Sequence, residues 1–555
     1  MTTPIPQNFV QTIAKQRGVT DAELETVFMA LDGQSTATIA TKLGISDIAV
    51  RKRLGEVYKK FQIGGNGPGK LSELRHQLLF SYHTDQGTSD FSGGKGSLLK
   101  MAIGHRQEDW GQAPDVSVFY GRTEELTTLK QWIVSDNCRV VALLGLAGSG
   151  KTTLSVQLAK QVQNEFDFVI WRSLRSTPAP SDFLGSLIQL FSNPQKPDVP
   201  LAEPAPTGAT PTKRIDLNSK ISRLVEYLRK HRCLVILDDF EAVLKPEELA
   251  GHYREGYEGY RDLIVRLCEV NHNSCLLLVS SEEPTELALL AGEKVRSLKP
   301  AISEEIAREI FQEKGLSPQD QELEILLSRY GGNLLALKIV ATTINEFFDG
   351  NVLKLLEATA LFIEEHISNL LAQQFDRMSS SEQDIAYWIA IAQSQISLAT
   401  LREQMFANSS LSDLLKNLDS LGRRSLIDKI SEGGETVFML QPLIVQYVID
   451  RLVDQIRAEV LETVKTQGIE RMGLLKTHKL SINIAKRKGD KGERSSSILA
   501  LVKNRLQVLF VKTTGSEEPL NILKKVASDL EDKSILEVGY ARENLAQIIS
   551  EIQQR

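Results

Sequence analysis

"RVVALLGLAGSGKTTL", residues 139–154, joins an apolar run to a glycine-rich turn and closes on a lysine and two threonines. Within it Gly145 to Thr152 fit the spacing G-x-x-x-x-G-K-S/T. Glycines there let backbone N–H groups converge on phosphate oxygens, and the positive end of the helix that follows adds to the field. In this pattern Lys151 neutralises β/γ charge and the Thr152 hydroxyl holds Mg²⁺. The loop also has a partner in "CLVILDDFE", residues 233–241, an apolar strand that ends in two aspartates. Asp238 is placed to anchor the Mg²⁺ water shell, and Asp239 to orient an attacking water as the catalytic carboxylate.

Outward from the loop, about residues 114 to 300, strand and helix patterns alternate. Apolar strands are expected at Arg139–Leu144, Phe168–Trp171, Cys233–Leu237, Cys275–Val279 and Val295–Leu298. Amphipathic stretches between them imply a parallel sheet covered on both faces. A proline-rich stretch, residues 193–213, interrupts this region as a long loop. After Pro300 the pattern is helical, apart from a strand-like pair around residues 425–440. The block at about residues 18 to 63 is helical in pattern too. "GQSTATIATKLGISDIAVRKRLGEVYKKFQI" sets Ile39 and Leu43 on one short helix, a turn at Gly44-Ile45-Ser46, and a second helix with Val50, Leu54, Val57, Tyr58 and Phe61 on one face. A polar stretch from about 81 to 113 reads as a linker.

Composition narrows the rest. At roughly 100–200 residues per domain, 555 residues imply several cores, and a net charge of −6 says little about partners. No apolar run reaches the roughly 18 residues of a membrane span, and the N-terminus lacks a leader pattern, so a cytoplasmic protein with no membrane partner is expected. Cys138, Cys233, Cys268 and Cys275 form no C-x-x-C pair, and the eight histidines show no ligand spacing. Core cysteines, and no zinc site, are expected.

Further motifs carry a resemblance. "VFYGRTEEL" (118–126), "FDFVIWRSL", "LDDFE" and "YGGNLLALKIVATTI" together resemble the NB-ARC group of STAND ATPases. "DWGQAPDVSVFYGR", "GHYREGYEGY" and "SLGRRSLI" resemble cyanobacterial members with an N-terminal helix-turn-helix of the vWA-MoxR-associated type. The resemblance implies a multidomain α/β plus α chain: helix-turn-helix at 1–75, linker at 76–113, P-loop nucleotide-binding domain at 114–300, helical domain at 301–370, winged helix at 371–465 and a helical C-terminal region at 466–555. It implies a switch closed around ADP that opens and self-associates when ATP replaces it. Tyr120, Gly121 and Arg122 would contact the base. Gly145, Gly148, Ser149, Gly150, Lys151, Thr152 and Thr153 would hold the phosphates. A helix-start charge paired with Glu124 or Glu125 is the alternative for Arg122.

Three positions depart from the family pattern. Ser281 stands where an arginine usually senses the γ-phosphate, and such an arginine is worth about 10³-fold or more in rate. Leu334 stands for a proline that packs on the adenine, and Gln441 for a histidine that touches the ADP β-phosphate. Binding with slow or absent hydrolysis is expected.

The N-terminal block admits two uses. Between Lys42 and Arg75 lie eight basic residues and three acidic ones, a local +5. Arg51, Lys52 and Lys59 face away from the apolar stripe, where they could meet DNA phosphates or an acidic protein. The first use would make the chain a nucleotide-regulated transcription regulator. A basic stretch, residues 484–497, marks the C-terminal region. Related chains commonly continue past "GYARENL" into a repeat domain; here the sensor is expected to be absent, reduced to the helical tail, or carried with the effector on a separate protein, which would then be a further partner.

Overall fold

A computed structural model describes residues 7–31, 36–61, 74, 107–116, 118–191, 213–358, 363–405, 410–432, 435–481, 498–513 and 518–553. The expected loop at 193–213 (except Lys213), the basic stretch at 484–497 and most of the expected linker lie outside these residues. The chain divides into two units, residues 1–104 and 105–555.

The first unit packs four helices: α1 (Gln7–Gln16), α2 (Asp21–Leu31), α3 (Thr36–Leu43) and α4 (Asp47–Lys60). Gly44, at φ +65°, makes the turn between α3 and α4 in a conformation cheap only for glycine. Ser46 then caps α4 by accepting from Ala49 N–H at 3.2 Å. Val50, Leu54, Val57 and Phe61 are buried with Ile39, Val27 and Val10, as their spacing predicts. Lys60 ties α4 to α2 through Glu23 at 2.6 Å.

The second unit is built on a six-stranded sheet: β1 (Gln107–Asp109), β2 (Val140–Leu144), β3 (Phe168–Ser173), β4 (Cys233–Asp238), β5 (Cys275–Ser280) and β6 (Val295–Leu298). Every pairing in it is parallel, in the order β1-β3-β4-β5-β2-β6. Apolar cores lie on both faces, which is why β2, β4 and β5 read as unbroken apolar runs rather than alternating ones. One expectation is corrected here. The linker does not extend to residue 113, because Gln107–Asp109 joins the sheet edge beside β3. Its three polar side chains hide it from any hydrophobic pattern, and Arg172 fixes it through Asp109 at 2.6 Å.

Helix α5 (Thr123–Lys130) precedes β2, and α6 (Lys151–Val162) follows it. The chain enters β4 from α8 (Lys213–Lys230), with α7 (Pro180–Phe191) after β3 and α9 (Gly259–Glu269) after β4. The short α10 (Thr285–Leu290) lies between β5 and β6; beyond β6 the architecture is mostly helical, with α11 (Glu304–Glu313), then α12 (Asp320–Tyr330) and α13 (Leu334–Phe348). A three-stranded antiparallel sheet, Ile396–Ser397, Ile427–Glu432 and Glu435–Leu440, sits among these later helices. A large apolar core runs from Ile306 to Ile549, and Leu146 of the glycine-rich loop is part of it. Cys138, Cys233 and Cys275 are buried, Cys268 is partly buried, and all four are free.

Candidate functional site

Strand β2 ends at Leu144, and the loop to α6 is held from outside. Asn333 Nδ2 donates to Ala147 O at 2.8 Å, and Leu335 N–H donates to Gly148 O at 3.0 Å. A Cβ on Gly148 would lie 2.8 Å from Asn333 Oδ1, so only glycine admits the start of α13 this close. With its outer carbonyls engaged, the loop holds a fixed concave path. Lys151 is buried, and its Nζ donates to Gly145 O and Leu146 O, each at 2.9 Å. Burial pulls its pKa down, while Glu241 and then Asp238 oppose the shift. Gly145, Gly148, Ser149, Gly150, Thr152 and Thr153 thus share one loop and helix start around a buried ammonium.

Asp238, at the end of β4, is brought to Thr152 by a side-chain hydrogen bond and also accepts from Asp239 N–H at 2.9 Å. Burial, helped by the charges of Asp239 and Glu241, pushes its carboxyl up to about 6. A hydroxyl beside a buried carboxylate whose charge is disfavoured is a donor set that fits Mg²⁺. Asp239 takes a different course. It sits at φ +54°, and its carboxylate meets Ser173 Oγ at 2.7 Å and Arg175 Nη2 at 3.3 Å.

Arg122 is 4% exposed and stands at the start of α5, where the Glu125 charge acts on it. Its Nη2 donates to Ser149 O at 2.5 Å, and the guanidinium and Leu334 Cδ2 both lie against Gly150. Arg122 Nη1 and Ser149 Oγ are buried donors without a partner among the described residues, an arrangement that an anion would satisfy. Gly121 is pressed on Ile306, and the half-buried Tyr120 ring carries Lys338 Nζ at 4.5 Å from its centroid. Gln441 is turned elsewhere. Its Nε2 donates to the Asp428 carboxylate at 2.8 and 2.9 Å, so its donor is already engaged.

Sequence reasoning missed several partners. Glu241 Oε2 accepts from Ser280 Oγ and Ser281 N–H, both at 3.1 Å, joining the end of β4 to the end of β5. Its signal was its place in "LDDFE", one turn past Asp238. Asn333, beside the expected Leu334, holds the loop. Glu282, next to Ser281, enters a buried ion network: Arg377 Nη2 at 2.9 Å and Arg424 Nη1 at 2.7 Å reach it, and Arg424 Nε reaches Glu382 at 3.0 Å. On α4, Arg51 and Lys59 are exposed but paired within the helix, with Asp47 and Glu56, each at 2.8 Å. Lys52 is exposed and has no partner among the described residues. The cationic face is therefore weaker than a count of basic residues suggests.

Among the described residues no group of His, Cys, Asp and Glu forms a protein-only metal cluster. No helix there is long and apolar enough to cross a membrane.

Residues 122–249 match the NB-ARC domain family. Over 493 residues, 82% of this chain, the sequence is 37% identical to an uncharacterized WD repeat-containing protein, alr2800, of Nostoc sp.. It is 32% identical over 102 residues, 18% of this chain, to the disease resistance protein RPM1 of Arabidopsis thaliana. The chain spans 37% of the length of the first and 10% of the second. Among solved structures it is similar to a Walker-type ATPase of Pyrococcus abyssi, at 17% identity and a TM-score of 0.38, covering 60% of this chain and 96% of that one. An Escherichia coli HORMA:CdnC:Trip13 complex follows at 14% identity and a TM-score of 0.29, covering 44% and 90%.

Proposed function

The chain belongs to the NB-ARC group of STAND-class proteins, and from that premise we propose that it is a nucleotide-controlled switch, closed with ADP and self-associating when ATP replaces it. What carries the reading is one arrangement: a buried Lys151 inside a glycine loop whose next residue, Thr152, is bonded to a buried Asp238. In this reading Gly145, Gly148, Ser149, Gly150, Lys151 and Thr153 hold the phosphates, and the unpartnered donors of Arg122 and Ser149 face the ligand. Tyr120, Gly121 and Leu334 border the base. Thr152 and Asp238 hold Mg²⁺, which when bound supplies charge neutralisation across the β- and γ-phosphates. Asp239 orients the attacking water.

Hydrolysis is slow in this scheme. Ser281 offers a backbone N–H to Glu241 where an arginine would bring positive charge, and Gln441 already donates to Asp428. The domain scheme follows the family pattern: a helical module from 301 to 370, a winged helix from 371 to 465 around the antiparallel sheet, and a helical region from 466. In this reading the protein acts in the cytoplasm.

A second reading rests on α3 and α4. If that pair is a helix-turn-helix, Arg51, Lys52 and Lys59 meet DNA phosphates and the nucleotide sets the oligomeric state of a transcription regulator. Duplex binding with a steep salt slope and a sequence preference would favour it. The test of the first reading is direct. Natively purified protein, once denatured, is expected to release ADP; material that is folded but neither carries nucleotide nor binds Mg²⁺·ADP or Mg²⁺·ATP in calorimetry would overturn it.

A further inference from the structure

Two stretches beside the site, "WRSLRSTPAP" after β3 and the tyrosine-rich "GHYREGYEGY", have no part in holding a nucleotide. The first meets Asp239, and the second holds the far end of the first. Ser173 Oγ donates to Asp239 Oδ2 at 2.7 Å, and Arg175 Nη2 reaches Oδ1 at 3.3 Å. The turn is shaped for this. Arg175 N–H donates to Ser173 Oγ at 3.1 Å, which fills that oxygen as an acceptor and aims its proton at the carboxylate. Leu174 N–H is held by Asp238 O at 2.8 Å, and Thr177 N–H closes the turn on Leu174 O at 2.8 Å.

The tyrosines fix the far end. Tyr257 OH donates to Thr177 O at 2.8 Å, and Tyr260 OH donates to Pro178 O at 2.9 Å. Gly259 lets them approach, since a Cβ there would lie 2.6 Å from Leu217 Cδ2 and 2.8 Å from Pro180 Cβ. Asp239 itself sits in a left-handed conformation that a non-glycine residue keeps only when its surroundings hold it. Both oxygens of this carboxylate are therefore steered toward β3.

We propose that Ser173 and Arg175 restrain the Asp239 carboxylate away from the water that would attack a bound nucleoside triphosphate, and so act as positioning residues that limit hydrolysis. The proposal rests on the reading of this site as one that binds ATP with Mg²⁺. In that reaction the water oxygen bonds to the γ-phosphorus. The bond from γ-phosphorus to the β,γ-bridging oxygen breaks, its electron pair leaving on ADP. The water proton passes through the Asp239 carboxylate to the departing phosphate. A carboxylate has about four lone-pair positions, so two bonds do not exhaust it; they fix its direction. The serine half of the restraint is part-buried, and the arginine half is open, with the Arg175 side chain 83% exposed. Exposed ion pairs are weak, so the arginine half is the one that opens first.

The test measures ATP turnover by the full chain with Mg²⁺, alongside binding of a fluorescent ATP analogue and thermal melting. Arg175→Ala is expected to raise kcat roughly two- to fivefold with KM for ATP and the melting temperature unchanged. Arg175→Lys should return kcat toward the parent value, and adding Asp239→Asn to Arg175→Ala should abolish the gain. A fall or no change in kcat with Arg175→Ala overturns the restraint, as does a gain that survives Asp239→Asn. If the parent chain binds no ATP analogue, the nucleotide reading itself fails and takes the restraint with it; if it binds and only the kcat effect is missing, the restraint alone is wrong.

Discussion

Two groups of buried charges flank the segment that leaves β5, and they are built on opposite plans. Glu282, Glu382, Arg377 and Arg424 form a balanced set. Arg424 reaches both carboxylates and also donates to Glu248 O at 2.6 Å, while Glu282 accepts from Gly251 N–H at 2.8 Å. On the other side, Asp238, Asp239 and Glu241 act on one buried lysine, and Arg122 Nη1 and Ser149 Oγ have no partner among the described residues. The balanced set fastens the sheet to the helices after residue 370. The unbalanced set keeps charge unsatisfied that an anionic ligand and a cation together would complete. Glu241, bonded to Ser280 and Ser281, and Glu282 one residue on, place both groups on a single stretch of chain. The acid beside Ser281 thus has a role of its own: it holds a fastening rather than a phosphate.

The contrast is sharpest in what removal of one member should do. Arg424→Ala leaves buried Glu382 without its cation and Glu282 with Arg377 alone, and is expected to destabilise the protein by about 3–5 kcal/mol, read as a lowered denaturation midpoint; a cost under about 1 kcal/mol would break the distinction. Lys151→Ala should act the other way round. Mg²⁺·ADP affinity measured by calorimetry is expected to fall about 100-fold or more, roughly 2.7 kcal/mol, while the melting temperature of the ligand-free chain barely moves, because burial already opposes that charge.

The pH response should divide the two groups as well. Asp238 is pushed up from its ordinary 3.8 to about 6 by burial and by the Asp239 and Glu241 charges. In the ligand-free chain its protonated form favours folding, so that contribution is complete below about 4 and is lost as pH rises through about 6. Mg²⁺·nucleotide needs the ionised form. Its affinity should therefore drop about three- to fivefold between pH 7.5 and 5.5, and Asp238→Asn should bind weakly at both values with little pH dependence. A parent chain with flat affinity across this range would contradict the placement of the cation. The smallest effect is expected from Leu334→Pro. Leu334 is the first residue of α13, where proline is tolerated, so melting should change by no more than about 0.5–1 kcal/mol, with little change in nucleotide affinity.

Much of the sheet was legible because strands covered on both faces are continuous apolar runs. Val295–Leu298 has the expected bounds, and β2 and β4 differ from expectation by one residue at one end. β1 was not legible, since Gln107, Glu108 and Asp109 join the sheet through their backbone and carry no apolar signal. The same limit governs the site. Lys151, Thr152 and Asp238 follow from spacing, because loop and strand end recur in fixed geometry. The partners Asn333, Arg175 and Arg377 meet the sheet across 64 to 186 residues of chain, and no local pattern encodes such a meeting. Arg122 lies both at the start of α5 near the Glu125 charge and against Ser149 O, a pairing that only the folded chain brings together.

Leu146 gives the loop one more property. Its side chain belongs to the apolar core of the helices from Ile306 onward, although its backbone is part of the phosphate cradle. The cradle cannot loosen its grip without dragging that side chain through close-packed neighbours. In the proposed nucleotide-binding reading, release of the ligand would then wait on motion of the helices packed around Leu146, tying its dwell time to packing remote from the phosphates.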